Sequence, residues 1–185
     1  MPANREDSKS EQPWRQTIHK GDTFMWQITL DLPHLRMPRI LAEWDADGRA
    51  TSGQLYEIGW DGGREPSTEH ANAIDDLTKR EESLYPRVLA AISPYAEPFR
   101  HDWVARHPEI ADRIVPSAMT AEQVAERIAF TILCVSDQSR DGMAYLELMG
   151  ECTWDRDHGF NVVIHGDRIV GVFQQGEGWV DESTS

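Results

Sequence analysis

The sequence predicts an α+β fold: an antiparallel sheet, or a mixed one, ending in a three-stranded C-terminal meander and packed against a central helical segment. Three observations carry this. Apolar residues alternate with period two towards both ends of the chain, and between Pro66 and Pro94 they recur at helical spacing instead. Tight Gly- and Asp-containing turns then separate the last alternating runs at hairpin distances. The 185 residues suit a single domain, with the strands in one sheet covered by the helices. Hydrophobic residues are only 39% of the chain, but seven Trp, five Phe and four Tyr supply bulky core material.

Residues 1–13 read as a disordered tail, and 14–180 as the α+β domain. Up to residue 12 the only apolar residues are Met1 and Ala3, too few to offset the entropy of ordering the chain. Phe24, Trp26, Ile28, Leu30 and Leu32 share one parity and Gln27, Thr29 and Asp31 the other, so a strand with one dry face runs to Pro33. Further strands are expected over 39–44, before the turn Asp45-Ala-Asp-Gly48, and over 54–60, before Asp61-Gly-Gly63. Ser67 is a good N-cap with Glu69 in the first turn, and Ile74, Leu77, Leu84, Val88 and Ile92 form the apolar stripe of a helix. Pro86 predicts two helices, or one sharply kinked, meeting near Tyr85, and Pro94 predicts the end of that region.

Pro98, Pro108 and Pro116 predict irregular structure over 95–119, with a short helix near Pro108 to Ile114. Thr120-Ala-Glu-Gln123 is a capping box opening a helix through Ile128 or a little further. Ala144, Leu146, Leu148, Gly150, Cys152 and Trp154 then occupy one strand face, with Tyr145, Glu147, Met149, Glu151 and Thr153 on the other. The turn Asp155-Arg-Asp-His-Gly159, a strand over 160–165, the turn Gly166-Asp167 and a strand over 168–174 complete the meander.

Charge narrows the function. Lys and Arg number 18 against 32 Asp and Glu, a net charge of −14. Such a surface repels phosphate backbones, which excludes nucleic acid and anionic membrane as main partners and suits a basic protein. No apolar run approaches the ~20 residues of a membrane span, and the first residues lack the apolar stretch of a signal peptide. With only Cys134 and Cys152 there is no disulfide scaffold, so the expected location is cytoplasmic.

The densest polar cluster is the hairpin turn around Trp154, Asp155, Asp157, His158 and Gly159. Cys152, Asp155, Asp157 and His158 carry metal-ligating atoms, but a structural zinc site brings in a second ligand pair that this sequence does not supply. The turn reading is therefore preferred: Asp155 bonds backbone amides, Gly159 takes positive φ and Trp154 packs on the sheet. Cys152 lies on an apolar strand face, which disfavours it as a nucleophile paired with His158. Asp45, Asp47 and Gly48 miss the spacing of a calcium loop, and Gly59, Gly62 and Gly63 that of a phosphate loop. His101 and His107 are six apart and would not share a helix face. No catalytic residue, metal or cofactor is assigned.

Residues 145–170, Tyr-Leu-Glu-Leu-Met-Gly-Glu-Cys-Thr-Trp-Asp-Arg-Asp-His-Gly-Phe-Asn-Val-Val-Ile-His-Gly-Asp-Arg-Ile-Val, resemble an uncharacterised group of bacterial proteins that carry a domain of unknown function. That group has a Trp-Asp-x-acid-His-Gly turn between two C-terminal strands. The acid before His158 is Asp157 here, where Glu is commoner in the group. The likeness extends more weakly to the Pro66-Ser67-x-Glu69-x-x-x-Ala73 helix start and implies no catalytic residues. Small acidic α+β proteins of this sort include immunity proteins that neutralise bacterial toxins, an analogy of fold and charge. The expected function is a non-enzymatic, immunity-like binding module with an acidic surface. The alternative is a small-molecule or metal-dependent enzyme using Asp155, Asp157 and His158.

Overall fold

The structure, a computed structural model, describes residues 19–20, 26–30, 32–35, 54–58 and 66–181. The expected tail over 1–13 and the expected strand over 39–44 lie outside the described residues. Along the chain come β1 (His19–Lys20), β2 (Trp26–Leu30), β3 (Gln54–Ile58), α1 (Thr68–Arg106), α2 (Pro108–Ile114) and α3 (Ala121–Ala125). Four strands follow: β4 (Ile128–Arg140), β5 (Met143–Cys152), β6 (Phe160–His165) and β7 (Arg168–Phe173). The fold is α+β, with α1 packed on a four-stranded antiparallel sheet.

Ser67 caps α1 as its side-chain chemistry predicts, and the capping box is closed by a histidine. The Ser67 hydroxyl accepts from the His70 amide, while the His70 ring Nδ1 accepts from the Ser67 amide at 2.9 Å. Ile74, Leu77, Leu84, Val88 and Ile92 are all buried, as their spacing requires. The helix does not break near Tyr85 or stop at Pro94. It runs unbroken for 39 residues with Pro86, Pro94 and Pro98 inside it. Each internal proline removes one ladder bond and crowds the carbonyl four residues back, at a cost of about 3 kcal/mol. Pro86, Pro94 and Pro98 are exposed, and so are Glu82, Ala90 and Pro94, whose carbonyls lose the bonds, so these groups lie on the solvent face of the helix. The opposite face buries Leu84, Val88, Leu89, Ile92 and Ala96, with Tyr95, Phe99 and Trp103 packed beside them. At about 1.5–3 kcal/mol for each large apolar side chain, that burial outweighs the proline cost.

The short helix α2 stands where Pro108 predicts it. The capping box of Thr120 and Gln123 also forms, yet α3 ends at Ala125 and Ile128 already belongs to a strand. The meander accordingly has four strands, in the order β4-β5-β6-β7, rather than three. In β4, apolar residues occupy both faces (Leu133 and Val135 inward, Ile132 and Cys134 outward), and such a run has no period to separate strand from helix. Among the described residues the strands also divide into two hydrogen-bonded sheets instead of one, because β1-β2-β3 pair among themselves and β3 only packs beside β4.

Turn chemistry sets the meander's register. Asp141 (φ 51°) and Gly142 (φ 77°) form the two-residue β4–β5 turn, whose positive φ pair matches the twist of the strands. Leu146 opposite Ile164 and Leu148 opposite Val162 then point to α1, and these residues share one core with the α1 stripe. The outer face is covered too: Tyr145, Asn161 and Val163 are buried there, and the segment after β7 contributes Trp179, which packs on Tyr145.

Candidate functional site

The β5–β6 turn is stitched to two helices and to the turn that follows α3. Thr153 donates its amide to the Arg127 carbonyl at 3.0 Å and its hydroxyl to the Ile114 carbonyl at 2.9 Å. The buried Trp154 accepts at its carbonyl from the Trp103 indole, 3.0 Å away on α1. This places Asp155 at the edge of the core with its carboxylate 11% exposed. One carboxylate oxygen meets His158 Nδ1 at 3.1 Å, and the other accepts from the Gln174 side chain at 2.8 Å. The Asp155 carbonyl accepts from the Gly159 amide at 3.0 Å, and Gly159 has φ +66°.

Of the residues predicted from the sequence, the structure thus brings Asp155 and His158 together, turns Trp154 inward and leaves Asp157 on the exposed rim. Cys152 is buried beneath the turn, its thiol 3.5 Å from the Asp155 carbonyl. Burial pushes that thiol up to about 12, so it stays protonated at neutral pH and is a poor nucleophile. The Tyr95 phenol is likewise raised by burial, with Cys152, Asp155 and Glu177 adding to the effect. Among the described residues, no group of three His, Cys, Asp or Glu side chains could hold a metal ion. What the turn offers chemically is one His–Asp pair, oriented by Gln174, with a 59% exposed imidazole.

A second meeting of Ser, His and Asp occurs at the start of α1. His70 Nε2 stands 3.6 Å from an Asp137 carboxylate oxygen, but Ser67 Oγ accepts from the His70 backbone rather than facing its ring. The arrangement is a helix cap, not a nucleophile and base. Burial lowers the His70 pKa and outweighs the opposing pull of Asp137 and Glu69.

Residues 51–178 match the family described as a domain of unknown function, DUF6985. The chain belongs to that family. No curated protein and no solved structure matches it. The DUF6985 match takes in α1 to α3, β3 to β7 and the whole Asp155–His158 turn, and it stops one residue before Trp179.

A cluster that the sequence reading missed joins residues inside the DUF6985 match to Trp179 and Asp181 just past it. Asp181 is 6% exposed. Arg168 grips its carboxylate with both terminal nitrogens, one at 3.0 Å. The Tyr145 hydroxyl donates to it at 2.8 Å, and Arg140 stands at 3.6 Å. The Tyr145 ring sits between His165 and Trp179, at centroid distances of 4.5 and 4.9 Å. Burial, then the adjacent Asp181, raises the Tyr145 phenol, which remains a donor at neutral pH. The available signal was Trp179 itself, a large aromatic isolated among glycines and acids after the last strand.

Glu81 of α1 is also interior, at 4% exposed. It accepts from the His34 and Leu35 amides at 2.6 and 2.8 Å and meets His34 Nδ1 at 2.7 Å. The carboxylate ties the segment after β2 to the helix.

Proposed function

We propose that this DUF6985 protein is a non-enzymatic binding module of a bacterial cytoplasm, immunity-like in role, that captures a basic protein partner through an acidic surface. The observation that carries the reading is the gathering of acids from three distant segments at one end of the meander. Asn72, in the first turns of α1, donates to the Gly142 carbonyl at 2.8 Å, and Arg87 donates to the Asp167 carbonyl. These bonds draw the two hairpin tips against the helix. Glu69, Asp75, Asp137, Asp141 and Asp167 then lie at the same end, with Asp141 83% exposed. The net charge of −14 supports the same reading, since it repels nucleic acid and anionic membranes and attracts cations.

Reversing the two tips, Asp141→Lys with Asp167→Lys, tests it. Exposed charges contribute little to stability, so the fold stays intact while association with the basic partner slows and loses its salt dependence. Pull-downs from the native cell with both proteins, at low and physiological salt, read this out. Identical partner lists from the two proteins refute the proposal.

The contact between Asp155 and His158 favours a second reading, a small-molecule enzyme in which Asp155 holds Nδ1 and leaves His158 Nε2 as proton acceptor. His158→Gln separates the two: it would abolish turnover but leave capture of the basic partner unchanged.

A further inference from the structure

The segment over 174–181 leaves β7 and crosses the outer face of the meander. It is held at its two ends and open between them. At its start, the Gln175 side chain donates to the Gly150 carbonyl at 2.9 Å. At its far end, Trp179 stacks on Tyr145 and Asp181 enters the grip of Arg168. Gly176, Glu177 and Gly178 between them are exposed, and Gly176 has φ +85°. Val180 is 76% exposed, so only the residues on either side of it face the sheet.

What those two residues enter has the makings of a recognition site. Arg168 presents a planar fork matched to a carboxylate, Tyr145 adds a neutral donor, and Arg140 adds a second cation. Beside them the Tyr145 ring offers an aromatic platform backed by His165, whose Nε2 lies 3.0 Å from the Arg140 carbonyl and is thereby fixed. All four side chains come from the meander itself, from β4 to β7, and do not depend on the segment for their positions in the sheet. The segment brings only an aromatic ring and a carboxylate, two residues apart.

The structure assigns the Arg140–Tyr145–His165–Arg168 cradle as a binding site for an acidic peptide of the form aromatic-x-Asp, occupied in cis by Trp179 and Asp181 of the chain's own C-terminal strap. A tethered occupant competes at the high effective concentration of a short link, so an outside peptide meets a site that is mostly filled. Weakening the strap frees the site and raises the apparent affinity for the outside peptide in proportion to the free fraction. This site adjoins the acidic tips, with Arg140 3.5 Å from Asp141, but it binds the opposite charge through other side chains and does not rest on the proposed capture of a basic protein.

The test uses the full chain and a fluorescent peptide, Gln-Gln-Gly-Glu-Gly-Trp-Val-Asp, which copies residues 174–181. A control peptide ends in Asn. Binding is followed by anisotropy to wild type, to Trp179→Ala/Asp181→Asn, and to that variant carrying Arg168→Gln. The strap variant is expected to bind the peptide at least about tenfold tighter than wild type, to prefer it over the Asn control, and to lose that preference with Arg168→Gln. Equal binding of both peptides, or no gain over wild type, overturns the assignment. A strap variant that fails to fold by circular dichroism overturns it as well, since the strap would then be a fixed part of the core rather than an exchangeable occupant.

Discussion

Replacing Gly159 by Ala should cost far more than replacing Gly142, although both glycines have positive φ, at +66° and +77°. Any Cβ in the left-handed region costs roughly 1–2 kcal/mol, and that strain applies to both positions. The difference is steric. A Cβ on Gly142 meets nothing within 4 Å, whereas a Cβ on Gly159 would sit 2.3 Å from the Gly150 carbonyl oxygen and 3.0 Å from the Gln175 amide nitrogen. Relief requires β5 to retreat, but β5 is already close-packed at that point. Gly150 leaves so little room that its own Cβ would lie 2.4 Å from the Ala129 carbonyl and 2.5 Å from the fully buried Phe160 ring. Overpacking of this kind adds about 1–3 kcal/mol, giving about 3 kcal/mol in all for Gly159→Ala against about 1 kcal/mol for Gly142→Ala. For a chain of this length, those losses lower the melting temperature by about 6–12 °C and about 2–4 °C. Thermal melts by circular dichroism, backed by urea midpoints, measure both. Equal losses for the two variants would refute the steric argument, and a neutral Gly159→Ala would refute the turn geometry itself.

Glu81→Ala should destabilise by about 3 kcal/mol or more, since it strands the His34 and Leu35 amides, while Glu81→Gln keeps an acceptor and loses less. Urea unfolding of both variants checks the order, and equal losses would contradict it. His70 has a lowered pKa in the fold, so its neutral form contributes stability above about pH 6.5 that is lost as pH falls through the folded value. His70→Gln keeps a capping side chain, and its melting temperature should fall less than that of wild type between pH 7.5 and 5.5; parallel curves would exclude the effect. Because Asp155 and His158 gather no third ligand among the described residues, a chelator should leave the melting temperature unchanged. One metal per chain by elemental analysis, lost in His158→Ala, would overturn the turn reading.

Much of this was determined by the sequence alone, wherever a local signal was periodic or stereochemical. The stripe from Ile74 to Ile92, the Ser67 N-cap, the Thr120 capping box, the short helix at Pro108, the alternation of Ala144 to Cys152 and the positive φ of Gly159 each follow from spacing or from the conformational range of one residue. Tertiary structure decided what depends on neighbours far along the chain. Three prolines sit inside α1 because the opposite face is buried by strands that come later in the chain, an energy that no local propensity contains. The run around Leu133 became a strand because β5 offered it a hydrogen-bonding edge, where its unbroken hydrophobicity allowed either structure. Glu81 and Asp181 look like surface acids in the sequence, and only the fold brings the His34 and Leu35 amides to one and Arg168, Arg140 and Tyr145 to the other. A carboxylate is stable inside a protein only when its partners are assembled around it, and that assembly is a property of three dimensions.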